Sequence, residues 1–124
     1  MRGQTRDGER PVRELTIDAT IRLPNLQPSL LDELQRLAPF GAGNPEPLFE
    51  ARGVTPIQAR TVSGKSLRLR FRQGSETWPA FAYGMGSRID QLRRPVDIVF
   101  HPRMVQNSRG RRLELVVRDF APAS

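Results

Sequence analysis

Arg68, Arg70 and Arg72 stand two residues apart in the run K-S-L-R-L-R-F-R-Q of residues 65–73, with Leu67, Leu69 and Phe71 between them. Guanidinium groups are planar, permanently charged forks. Each can hold a phosphate through two hydrogen bonds or lie flat on a base. In a strand, successive side chains leave on opposite faces, so the three arginines would form a row at intervals of about 6.6 Å. That is close to the phosphate spacing of an extended single nucleic-acid strand. Three like charges on one face repel each other, so the row suits an anionic polymer better than it suits stability. The competing reading is a solvated outer face whose arginines pair with acids on neighbouring strands.

The other candidate groups are cationic or aromatic. Lys65 opens the arginine run, and Arg109, Arg111 and Arg112 cluster around a second turn, N-S-R-G at residues 107–110. Trp78, Phe81 and Tyr83 follow the arginine row on the next alternating segment. Stacking of a base on such a ring contributes roughly 1–3 kcal/mol with little regard to sequence. His101 is the sole histidine, on an expected strand end, and no acid, base or nucleophile is placed beside it by any motif.

Composition bounds what these groups can be part of. The chain has 124 residues, enough for one domain with a core and too few for two. Twenty Lys and Arg against 13 Asp and Glu give a net charge of +7, which makes nucleic acid the default partner. Lys65 is the only lysine. With no cysteine, disulfides, thiolate metal sites and cysteine nucleophiles are excluded together, as fits a reducing cytoplasm. No apolar run approaches transmembrane length, and residues 1–11 are too polar for a secretion signal. That leading stretch reads as a disordered lead or an artificial boundary.

The elements that must position these groups are mostly strands. Residues 14–23, E-L-T-I-D-A-T-I-R-L, alternate Leu15, Ile17, Ala19, Ile21 and Leu23 on one face, which predicts a strand. Ser29 stands where a helix cap belongs, and Leu30, Leu31, Leu34, Leu37 and Ala38 follow at helical spacing before Pro39. Residues 40–47, F-G-A-G-N-P-E-P, are irregular by chemistry. Phosphate-binding glycine loops lead into a helix, whereas here a helix precedes the glycines and prolines follow, so a structural turn is expected. Phe40 and Phe49 flank it as core anchors.

Strands follow at residues 48–54 and 57–62, broken near 53–56, then at 65–72, 76–83, 95–101 and 111–120. Residues 87–92 make a helical turn between the third and fourth of the barrel strands. Five strands with a short helix at that place is the order of a mainly β, five-stranded OB-fold Greek-key barrel, here preceded by an extra strand and helix. Such barrels bind nucleic acid over the second and third strands, between the 1–2 and 4–5 loops. Charge concentrates at those places: the arginine row, Lys65, and Arg109, Arg111 and Arg112. Alternation allows only one aromatic set to face the groove. Filling a small barrel favours Phe81 inside, which leaves Trp78 as the groove aromatic with Ala80 and Ala82 making room for a base. Tyr83 is equally placed for either face.

Five strings carry a family likeness: L-A-P-F-G-A-G-N-P-E-P-L-F at 37–49, the arginine run, P-A-F-A-Y-G-M-G at 79–86, V-D-I-V-F at 96–100 and R-R-L-E-L-V-V-R-D-F at 111–120. Together, over about residues 12–122, they resemble the C-terminal OB domain of the RecJ family of bacterial single-stranded-DNA exonucleases. The resemblance implies three segments: 1–11 as the lead, 12–47 as a connecting strand, helix and Gly/Pro loop, and 48–122 as the barrel. It implies an accessory domain that helps a 5′–3′ exonuclease of DNA repair and recombination hold single-stranded DNA. The family's Mn²⁺ or Mg²⁺ site uses clustered aspartates and histidines. This chain has one histidine and scattered acids, so those ligands have no positions here, and the piece is expected to have no cofactor and no catalysis of its own. Expected partners are single-stranded DNA, the catalytic domains of the parent protein and, as the alternative function, an acidic peptide such as the C-terminal tail of a single-strand-binding protein.

Overall fold

The computed structural model describes residues 17–37, 40, 43 and 45–123. The expected lead, the start of the first strand, the helix end at Ala38 and Pro39, and much of the glycine loop lie outside the described residues. Among the described residues six strands occur in chain order: β1 (Ala19–Thr20), β2 (Phe49–Val62), β3 (Ser66–Gln73), β4 (Glu76–Ala82), β5 (Val96–Asn107) and β6 (Gly110–Pro122). One helix, α1 (Pro28–Leu37), precedes β2, and a 3-10 helix, Gly86–Arg93, joins β4 to β5.

The pairing order is β1-β2-β3-β4-β6-β5, and β5 pairs back onto β2. Strands β2 to β6 therefore form a closed ring with β1 outside it. β4 runs parallel to β6 through Ala80–Leu115 and Phe81–Val116; the other ring pairings are antiparallel. This is the expected OB order. Closure is possible because β2 serves both edges. Its first half pairs with β5 and its second half with β3. The expected break near residues 53–56 is a bulge instead: the register against β5 shifts between Ala51 and Val54, with Gly53 at φ +66°, and a second shift lies between Ile57 and Arg60. An extra residue bends a strand without ending it, which lets one strand turn the corner of a barrel.

Alternation fills the ring. Leu67, Leu69 and Phe71 from β3, Val96, Ile98 and Phe100 from β5, and Leu115 and Val117 from β6 are all buried in one cluster. Trp78, Ala80 and Ala82 join them from β4.

The leading segment differs from expectation. Among the described residues of this segment, Ala19 and Thr20 are the ones that pair, with Phe49 and Glu50, and both are exposed. Leu23 leaves the strand in a 3-10 turn at Pro24 and buries completely in the barrel cluster, where Leu31 and Leu34 of α1 also pack. Gln73 stitches this segment on. Its side chain accepts from the Leu23 amide at 2.6 Å and donates to the Arg52 carbonyl at 2.9 Å. Both backbone groups would otherwise lack a ladder partner there. The helix begins at Pro28, earlier than a cap at Ser29 predicts, because proline suits the first helical position, where no amide donor is needed.

Candidate nucleic-acid interface

The outward side chains of β3 and β4 build one continuous face. Arg68, Arg70 and Arg72 project from the barrel while Leu67, Leu69 and Phe71 project into it. The arginines differ in company. Arg70 is held by Thr77, the register partner of Arg72 on β4, donating to its hydroxyl at 2.8 and 3.1 Å. Arg68 lies over the Phe81 ring, 4.9 Å from the centroid, and 3.6 Å from the Glu114 carboxylate. Arg72 is exposed and has no side-chain partner among the described residues.

The aromatic assignment comes out opposite to expectation. Trp78 is in the core and Phe81 is on the outward face, beneath Arg68 and 4.4 Å from the Tyr83 ring. The reason is local. Ala80 and Ala82 share Trp78's side and leave the barrel interior room for an indole. Phe81 keeps only 9% of its surface because Arg68 and Tyr83 cover it, while Tyr83 is 58% exposed.

The register extends this face across the sheet. One row runs from Arg60 on β2 through Arg68 and Phe81 to Val116 on β6 and His101 on β5. At its far end His101 is buried, not at a strand end but in mid-strand. Its Nδ1 donates to the Pro47 carbonyl at 2.8 Å, and its ring meets Phe40 edge-on. Glu46 pairs with Arg118. His101 therefore fastens the Gly/Pro loop to the barrel. Phe40 is half-buried against that histidine and lies outside the core, whereas Phe49 is inside it.

Beside Phe81, Glu114 is 6% exposed and faces two arginines. Arg103, its register partner on β5, donates to it at 2.6 Å; Arg68 approaches from the other side. Hydrogen bonding to Glu114 pushes the Arg103 pKa up against partial burial, and the Tyr83 hydroxyl acts in the same direction. Arg60, Arg103 and Glu114 were not singled out from sequence. Counting back from the β5–β6 turn, where Asn107 opposes Gly110, puts Arg103 opposite Glu114, so the signal was present.

The loops frame the face at opposite ends of β3 and β4. Lys65 is exposed in the β2–β3 turn, whose backbone is fastened by the Gly86 amide donating to the Lys65 carbonyl at 2.8 Å. Arg109, Arg111 and Arg112 are exposed on the β5–β6 hairpin. Arg111, Arg112 and Asp32 line a cleft of about 370 Å³ together with the apolar Leu26, Leu31, Trp78, Met104 and Leu113, on the α1 side of the barrel.

Among the described residues no three His, Cys, Asp or Glu side chains gather around a common point, and no helix is long and apolar enough to cross a membrane. Two solved structures of RecJ from Thermus thermophilus, in complex with Mn²⁺ and with Mg²⁺, match at TM-score 0.71 over 92% of this chain, with 28% and 27% identity. This chain spans 17% and 18% of theirs. The described residues offer no ligand set for those metals. The single-stranded-DNA-specific exonuclease RecJ of the same organism is 39% identical over 62 residues, half of this chain and 9% of that protein. The RecJ OB domain model matches residues 17–119, the stretch from just before β1 through most of β6. On that match, and on a closed barrel in the order such a domain requires, the chain belongs to the RecJ OB domain family.

Proposed function

We propose that this domain binds single-stranded DNA, with little sequence preference, as the accessory OB domain of a cytoplasmic RecJ-type 5′–3′ exonuclease in DNA repair and recombination. The observation that carries the reading is the opposition of Arg60 and Arg68 on the outward ladder beside Phe81 and Tyr83. Like charges directly opposed in a sheet are destabilising. An anionic strand whose phosphates reach Arg60 removes that cost, and the exposed Tyr83 ring offers its bases a stacking partner. Arg70, Arg72 and Lys65 extend the cationic path along β3, and the hairpin arginines Arg109, Arg111 and Arg112 bound it. The domain contributes grip; the metal-dependent hydrolysis belongs to the catalytic domains of the parent protein.

The test is an NMR titration with a short oligothymidylate. Shifts clustered on Arg60, residues 65–72 and Tyr83, with affinity falling steeply as salt rises, are the expected result. Shifts confined to residues 1–16, or binding unchanged by salt, would overturn the reading.

A second reading is favoured by the cleft under Arg111 and Arg112. An apolar floor with two guanidinium groups at its rim suits an acidic peptide ending in an apolar residue, such as the tail of a single-strand-binding protein. Arg111 and Arg112 serve both the cleft and the edge of the DNA path, whereas Arg68 and Tyr83 lie outside the cleft, so the peptide is expected to lower oligonucleotide affinity without displacing the strand from β3 and β4.

A further inference from the structure

The three arginines of β3 have unlike surroundings, and unlike surroundings imply unlike tasks. Arg72 stands in solvent with no partner among the described residues, the condition of a phosphate grip. Arg70 is tied to Thr77. Arg68 lies over the ring of Phe81, with the Glu114 carboxylate 3.6 Å away. That carboxylate is nearly sealed from water, and Arg103 closes its other side at 2.6 Å.

We propose that Glu114 is a positioning residue that turns Arg68 from a phosphate grip into part of a base platform, so that a bound strand lays its bases on Arg68 and Tyr83 and its phosphates toward Arg72. The inference rests on the single-strand-binding function proposed above and deepens it by giving the strand an orientation.

The argument is electrostatic and geometric. Two arginines and one carboxylate leave the cluster of Arg68, Glu114 and Arg103 with one net positive charge. A phosphate drawn to Arg68 would be drawn toward the Glu114 carboxylate as well, at close quarters and in a partly buried setting where charges are poorly screened. A neutral base meets no such opposition. It gains a planar guanidinium that already lies over a ring, 4.9 Å from its centroid, and such groups stack on bases without sequence preference. The Tyr83 ring, 4.4 Å from Phe81 and largely exposed, widens the platform, and its hydroxyl is engaged by Arg103. Glu114 thus holds Arg103 directly and keeps Arg68 from swinging to a phosphate. Further along β3, Arg72 has no ion-pair partner among the described residues and takes the charge of the backbone.

The test compares a short oligothymidylate with an abasic oligomer of the same length, across a salt series, for the intact domain and three variants. The domain itself is expected to prefer the oligothymidylate. R68Q should lose roughly five- to tenfold in affinity for the thymidylate, become indifferent to base removal, and keep its salt slope. R72Q should weaken both oligomers alike and flatten the salt slope by about 0.7, the loss of one phosphate contact on a single strand. E114Q should steepen the slope, because a freed Arg68 can now take a phosphate, and should lose preference for bases; a carboxylate with only a structural role would weaken both oligomers and leave the slope unchanged. Should E114Q fail to fold, the contrast between R68Q and R72Q, both at accessible side chains, decides the matter. If those two variants respond alike, or if the unaltered domain binds the abasic oligomer as well as the thymidylate, the division of tasks is wrong. If the unaltered domain binds neither oligomer, the parent reading falls with it.

Discussion

Arg68 and Phe81 are register partners on neighbouring strands, and the guanidinium of the first lies 4.9 Å from the ring centroid of the second. The pairing hides the phenyl ring almost completely and leaves Tyr83 as the accessible aromatic of the face. An outward phenylalanine is costly in water unless covered. Here the cover is a cation and a phenol, both able to engage a nucleic acid, so the same contacts that shield the ring prepare a surface for stacking.

Tyr83 is therefore the residue whose removal should cost binding more than stability. Tyr83→Ala is expected to weaken oligothymidylate binding by roughly 1–3 kcal/mol, the worth of one stacked base. Because Tyr83 shields part of the Phe81 ring, the urea midpoint should also fall, by the equivalent of about 1 kcal/mol. Tyr83→Phe keeps the ring and should retain most of the affinity. Fluorescence anisotropy with a labelled oligomer measures all three proteins; equal affinity of Tyr83→Ala and the parent would remove Tyr83 from the interface.

Trp78 should behave in the reverse manner. It packs with Ala80, Ala82 and Leu115 in the barrel, so Trp78→Ala is expected to cost about 3–5 kcal/mol in urea unfolding. Its emission, the only tryptophan signal in the chain, should be blue and resistant to iodide, and saturating oligothymidylate should change it little. Strong quenching by bound oligomer would return the indole to the groove.

The contrast between these two residues marks how far the sequence could be read. Period-two alternation in residues 66–73 decided which way Arg68 and Leu69 point, because three apolar residues on one side left no competing choice. In β4 both faces carry an aromatic, and ring size alone favoured Phe81 inside. What decided it was the volume of the neighbours, Ala80 and Ala82, on the tryptophan side. Leu23 was legible as apolar but not as a barrel residue, since its burial depends on the Gln73 side chain fifty positions away. Glu114 was hidden by the same distance: its meaning lies in Arg68 and Arg103, one on a strand that is not adjacent in sequence and one across a hairpin.

Leu23 provides a test of whether the segment before β2 belongs to the barrel. It is fully buried in the same cluster as Phe71 and Trp78. Leu23→Ala should lower unfolding free energy by about 2–5 kcal/mol. A purely connecting segment would give a change under about 0.5 kcal/mol, the usual figure for surface positions. Gln73→Ala, which strands the Leu23 amide and the Arg52 carbonyl, should destabilise in the same assay and not additively with Leu23→Ala.

Arg103 carries a pH expectation. Its pKa in the folded chain is raised, chiefly by the hydrogen bond to Glu114. A group whose folded pKa lies above its unfolded value contributes its full share of stability at every pH below the unfolded value, and loses it only as pH rises through the folded one. For a guanidinium that window is far into alkali. The stability difference between Arg103→Gln and the parent should therefore be constant from about pH 7 to pH 9. Thermal unfolding of the two proteins across that range checks it, and a difference that shrank with rising pH would point to another titrating partner.

Gly86 sets the position of the β2–β3 turn. Its amide donates to the Lys65 carbonyl at 2.8 Å, and a methyl group in its place would stand 2.9 Å from the Lys65 carbonyl carbon and 3.2 Å from the Gly64 oxygen. Those neighbours are backbone, which cannot swing aside as a side chain can. Gly86→Ala should therefore push the turn outward, at a cost of about 1–3 kcal/mol as for other overpacked sites. Since Lys65 rides on that turn, amide shifts should appear at residues 64–66 in the free protein, and oligothymidylate affinity should fall further than a Lys65→Gln change alone lowers it. Ser87→Ala, next in the chain and exposed, should do neither. A variant at Gly86 with unchanged turn resonances and unchanged affinity would mean that the turn is not held by this contact.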